Sequence, residues 1–134
     1  MTRKPLVTRF HLLEFGMLVA ITATAWFRIP EGADLPVHWG LDGHPDQVWP
    51  KLPALLAAPA IAIVVGLVTA AFGQFAPEDQ VEPGRHVAEA AVAAILGLLC
   101  AIQFGILLIG IGSDIDMVRF IGGAVALALL VIGN

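Results

Sequence analysis

No charged residue interrupts the stretch from Leu52 to Phe75. An α-helix needs roughly 20 apolar residues to cross about 30 Å of hydrocarbon, and this run supplies them. It is too long for an ordinary strand, and in water its surface would form an apolar patch far beyond what a small soluble protein exposes. The chain offers similar material three more times. One run extends from Phe10 to Phe27, broken only by His11 and Glu14, a second from Val87 to Ile111, and a third from Met117 to Gly133. Charged residues make up 13% of the 134 positions and hydrophobic ones 58%, whereas soluble domains carry about 25% charge. The mean hydropathy is +0.87. The expected fold is an all-α integral membrane bundle in one domain, with four transmembrane helices near residues 10–28, 52–75, 87–111 and 117–133.

Within the helices, a few residues carry specific expectations. Pro53 suits a first helical turn, where its missing N–H is not needed. Pro59 lies deeper, so it should free a carbonyl and bend the second helix slightly. Ala58, Ala62, Gly66 and Ala70 form one small-residue stripe, and Gly97, Ala101 and Gly105 a second, each suited to close helix packing. Gln103 falls near mid-span and should face protein and hydrogen-bond to another helix. Glu89 is expected in the first turn of the third helix, where a negative charge complements the helix end. Arg119 leaves only Phe120 to Gly133 uncharged, which makes the fourth span short, about 20 Å.

Arg3, Lys4 and Arg9 precede the first helix with no acid among them. By the positive-inside rule the N-terminus is cytoplasmic and residues 28–51 lie on the extracytoplasmic side. Ala23-Thr24-Ala25 resembles a signal-peptide cleavage site. Glu14 intrudes into the apolar run, however, and a retained first helix is the expectation.

The formal net charge is −4 and the basic residues form no stripe, so nucleic acid is not an expected partner. Cys100 is the single cysteine, which excludes an internal disulfide. There is no CxxC, Walker-type phosphate loop, GxSxG or HExxH. No cofactor and no enzymatic activity are expected.

Chemistry concentrates in the loop at 29–51, whose prolines and glycines exclude continuous helix. From Pro36 to Lys51 it holds His38, Trp39, Asp42, His44, Asp46, Trp49 and Lys51. Asp42-Gly43 is a tight-turn signal that should fold Asp46 and Lys51 back toward His38. The tryptophans suit the headgroup layer. Three readings compete: a structural cap, a recognition surface for a peptide or protein, and a metal or catalytic site in which His38, Asp42, His44 and Asp46 would be the ligands.

The pattern Pro36-x-His38-Trp39-x3-Gly43-x-Pro45-Asp46-x4-Lys51 resembles the signature loop of SdpI-like bacterial membrane proteins. Their N-terminal domain of unknown function carries such a segment between its first two helices. Here His44, Gln47 and Val48 stand where relatives often have an acid, a glycine and an aromatic. The resemblance implies a protein of the bacterial cytoplasmic membrane, with His38, Trp39, Gly43, Asp46 and Lys51 as binding positions. It implies immunity to a secreted peptide toxin or signalling, with a peptide or another membrane protein as partner. The alternative from the residues is a small accessory subunit that packs into a larger membrane complex through its small-residue stripes.

Overall fold

The computed structural model describes residues 4–133; Arg3 of the N-terminal basic cluster lies outside them. Helix α1 spans Arg9–Arg28 and begins at a reciprocal cap. The Thr8 hydroxyl accepts from the His11 N–H at 3.4 Å, and His11 Nδ1 accepts from the Thr8 N–H at 3.1 Å. Two orphan donors of the first turn are thereby satisfied. With Nδ1 accepting, Nε2 carries the proton and donates to the Glu89 carbonyl at 3.0 Å, which ties the start of α1 to a helix far along the chain.

After α1 come two antiparallel strands, β1 (Asp34–Trp39) and β2 (Pro45–Pro50), followed by helix α2 (Lys51–Phe75). The connection then forms a four-residue helix α3 (Glu78–Val81) and a 3-10 turn, Glu82–Gly84. Helices α4 (Arg85–Gly110) and α5 (Met117–Gly133) complete the chain. The protein is mostly helical, and the four long helices fall where the apolar runs place them. Three segments, Arg9–Arg28, Lys51–Phe75 and Glu78–Gly110, are long and apolar enough to cross a membrane. Helix α5 is a shorter apolar helix of 17 residues. Because α4 begins at Arg85, Glu89 lies beyond the first turn, and its carboxylate stands 3.6 Å from the Arg85 guanidinium.

Side chains sort by what they face. Leu12, Leu13, Leu56, Val64, Leu67 and Phe72 point outward, as a lipid-facing surface would. Leu18, Ala58, Ala62, Val92, Leu96 and Leu99 form one buried cluster among α1, α2 and α4. A second cluster, built around Ala25, Ile29, Leu35, Leu55, Ile106 and Met117, lies under the hairpin. Ala58 and Ala62 thus pack within the bundle, as expected of that stripe, while Ala70 is exposed. Small residues also bring neighbours close. A Cβ on Gly105 would meet the Met117 thioether, and one on Gly110 would meet Ile29 and Leu35.

Between the two clusters sits Gln103, fully buried. Its Nε2 donates to Thr22 Oγ1 on α1 and to the Leu55 carbonyl on α2, both at 2.9 Å. Leu55 lies four residues before Pro59, so its carbonyl is the one left without a helical donor by the proline. The mid-span glutamine of α4 fills the gap that the mid-span proline of α2 opens.

Candidate functional site

The stretch between α1 and α2 is an antiparallel hairpin that turns at Asp42-Gly43. Asp34 pairs with Pro50, Leu35 with Trp49, Pro36 with Val48, His38 with Gln47 and Trp39 with Pro45, with register irregularities near His38. Prolines at 36, 45 and 50 argue against strand in a wide sheet. In a two-stranded ribbon both strands are edges, and a proline can face away from the ladder.

The turn closes through the Gly43 N–H donating to the Gly40 carbonyl at 3.0 Å and the Gly40 N–H donating to the His44 carbonyl at 2.9 Å. Gly43 has φ +82°. This is the three-residue hairpin class, in which the last loop residue adopts the left-handed conformation glycine tolerates. Asp42 Oδ1 accepts from the His44 N–H at 3.1 Å, a side-chain mimic of a backbone turn.

Folding back brings Asp46 to His38: Nδ1 and Asp46 Oδ1 are 2.5 Å apart. The two side chains are 64% and 52% exposed, and an exposed pair adds at most about 1 kcal/mol to stability. Asp46 engages Nδ1 and so fixes the imidazole's orientation, leaving Nε2 as the uncommitted ring nitrogen among the described residues. A second exposed pair, Asp42 and His44, is 3.6 Å apart. Among the described residues no group of three His, Cys, Asp or Glu stands together as a metal site, so His38, Asp42, His44 and Asp46 are two separate pairs.

Lys51 is not brought to His38. The register puts it at the base of the hairpin, beyond the Asp34–Pro50 pair and away from the turn. It is 5% exposed. Its Nζ donates to the Ile29 carbonyl and to Glu31 Oε1, each at 2.8 Å, and lies 4.6 Å from the centre of the Trp26 ring. Lys51 therefore clasps the chain entering the hairpin to the chain leaving it. Trp39 is half-buried and packs on the cluster beneath the hairpin, whereas Trp49 is exposed.

Trp39 divides two clefts. On one side lies an apolar cleft of about 430 Å³ between β1 and the α4–α5 pair, lined by Val37, Ile102, Met117, Val118 and Ile121, with His38 also in its wall. On the other lies a cleft of about 600 Å³ whose polar lining is Asp42, His44, Ser113, Asp114 and Asp116. The second wall, from the α4–α5 connection, was not legible as part of the site. Asp114 and Asp116 are far from the hairpin in sequence, and the fold sets them opposite it. Asp116 also holds Arg119 at 3.2 Å. The arrangement offers apolar and acidic recognition side by side, with an oriented imidazole in the apolar wall.

Residues 15–63 match the model of a domain of unknown function, DUF1648. The matched interval runs from α1 through the hairpin into α2. No curated protein and no solved structure matches the chain.

Proposed function

We propose that this chain is an SdpI-like binding or sensing protein of the bacterial cytoplasmic membrane, of the peptide-immunity or signalling type, and not an enzyme. In this reading the N-terminus is cytoplasmic and the hairpin lies on the outer face. The hairpin and the α4–α5 connection together engage a cationic, amphipathic peptide. The exposed His38–Asp46 pair beside the paired clefts is the observation that carries the reading. Apolar side chains of such a peptide fit the cleft under His38, and its lysines or arginines fit the carboxylates of Asp42, Asp114 and Asp116. Trp39 supplies the wall shared by both. In this role Gly43 shapes the turn and Lys51 secures the base, so both act by holding the surface in place.

The test is protection of cells. Bacteria expressing the chain are challenged with a panel of cationic membrane-active peptides. The expected result is at least a fourfold higher inhibitory concentration for one of them, lost with His38→Ala or Asp46→Ala at equal membrane abundance. Unchanged sensitivity to the whole panel contradicts the proposal. A second reading, as an accessory subunit, draws support from α5, in which Met117 is the one fully buried residue. Purification in mild detergent with a partner in fixed stoichiometry would favour it.

A further inference from the structure

The other end of the bundle holds a group that the hairpin does not use. Glu14 lies in α1, some fourteen residues or about 21 Å of helix from its hairpin end. The residue is only 8% exposed, and its Oε2 has no hydrogen-bond partner among the described residues. Among the described residues no cation pairs with it. The neighbouring polar groups are engaged elsewhere. His11 is held by Thr8 and the Glu89 carbonyl, and the Cys100 thiol donates to the Glu14 backbone carbonyl at 3.4 Å.

Glu14 lines a cleft of about 270 Å³. Small residues of α4, chiefly Ala94, Gly97 and Ala101, form its floor, and Leu127, Ala128 and Val131 of α5 form the wall facing α1. The carboxyl lies over this floor at Gly97, where a Cβ would stand 3.4 Å from Oε1. The rim residues Phe10 and Leu127 are 59% and 64% exposed on the outer, apolar surface of the bundle, so the cleft opens toward lipid. Apart from the carboxyl, the lining is apolar.

A buried oxygen without a donor is costly, and a ligand that brings the donor recovers that cost. The strongest donor for a carboxylate is a charged nitrogen. Pockets for small molecules are mostly apolar, with a few placed polar groups that fix orientation. We infer that the α1–α4–α5 cleft is a binding site for a lipophilic amine that enters from the bilayer, its apolar body on α4 and its nitrogen on Glu14. A polypeptide helix would need a longer groove than one cleft of this volume.

The full chain in lipid nanodiscs is titrated with tritiated 1-aminoadamantane, with 1-adamantanol as the neutral isostere. The amine is expected to bind saturably above empty discs. Glu14→Gln should weaken amine binding at least tenfold and leave the alcohol's weak binding unchanged. Ala128→Phe, which keeps Glu14 and fills the cleft with a ring, should abolish binding of both. Thermal unfolding of each variant identifies any that fails to fold, and the two variants act independently. No saturable amine binding to the wild-type chain overturns the proposal, as does unchanged affinity in a folded Glu14→Gln or Ala128→Phe. A stoichiometric polypeptide photo-crosslinked through position 127 also overturns it and assigns the cleft to a partner helix.

Discussion

Gln103 and Pro59 explain each other. A proline in mid-helix frees a carbonyl and an amide in mid-span brings a donor. The fold sets them against one another through the Leu55 carbonyl, with Gln103 Oε1 left buried and without a partner among the described residues. Interhelical hydrogen bonds of this kind contribute about 0.6 kcal/mol on average and up to about 1.7 kcal/mol. Gln103→Leu is therefore expected to lower stability by about that amount, read as the unfolding free energy in detergent. In a Pro59→Ala background the same change should cost less, because the residue-59 N–H then donates to the Leu55 carbonyl itself. Equal costs in the two backgrounds would show that the amide and the proline are not coupled. Each residue was legible alone as a polar problem within an apolar run. Their meeting was not, because one sequence carries no register between helices. Lys51 repeats the lesson. As a charge beside histidines and aspartates it reads as a binding group, yet its Nζ is spent on Ile29 and Glu31 at the base of the hairpin. Lys51→Met leaves the buried Ile29 carbonyl without that donor, at an expected cost of about 1–3 kcal/mol. Glu31→Gln, at an 82% exposed side chain, should cost about 1 kcal/mol or less. Thermal unfolding of the two variants checks the order; a larger loss for Glu31→Gln would contradict the clasp.

Among the elements, the helices were legible and the hairpin only half so. Apolar run length places α1, α2, α4 and α5 within a few residues, because the span length is set by hydrocarbon thickness. The turn at Asp42-Gly43 was legible from glycine's tolerance of positive φ. The flanking strands were obscured by Pro36, Pro45 and Pro50, whose usual exclusion from sheets does not hold where both strands are edges. Contacts between elements follow from small residues. Gly110 lets the end of α4 meet Ile29 and Leu35, both about fully buried, and Gly105 lets it meet the end of the Met117 side chain. A methyl group at 110 has to displace a β-branched residue packed on all sides, and such overpacking costs about 1–3 kcal/mol. A methyl at 105 meets a flexible thioether that can turn aside. Gly110→Ala should thus destabilise more than Gly105→Ala, and hydrogen exchange should show the added opening in the hairpin. The reverse order, or exchange confined to α5, would contradict this view of how the hairpin is seated.

At the scale of the whole molecule, the bundle presents two unlike ends. One end carries the hairpin, clasped by Lys51 and resting on a buried cluster through Leu35 and Trp39. The other carries His11, which ties α1 to α4, and Glu14, whose Oε2 has no donor among the described residues. Membrane class and helix count follow from composition and run length. The pairing of the hairpin with Asp114 and Asp116 follows only from the packing of α5 beside α4. That pairing adds to the His38–Asp46 pair the acidic half of a surface whose other half is apolar. Its most direct test is the titration of a labelled amphipathic Lys/Leu peptide into nanodiscs of zwitterionic lipid that carry the chain. Saturable binding is expected, at least tenfold weaker for Asp46→Ala and for the double variant Asp114→Asn/Asp116→Asn, with unfolding temperatures close to the parent's. Binding that does not exceed empty discs, or equal affinity in all three proteins, would contradict it.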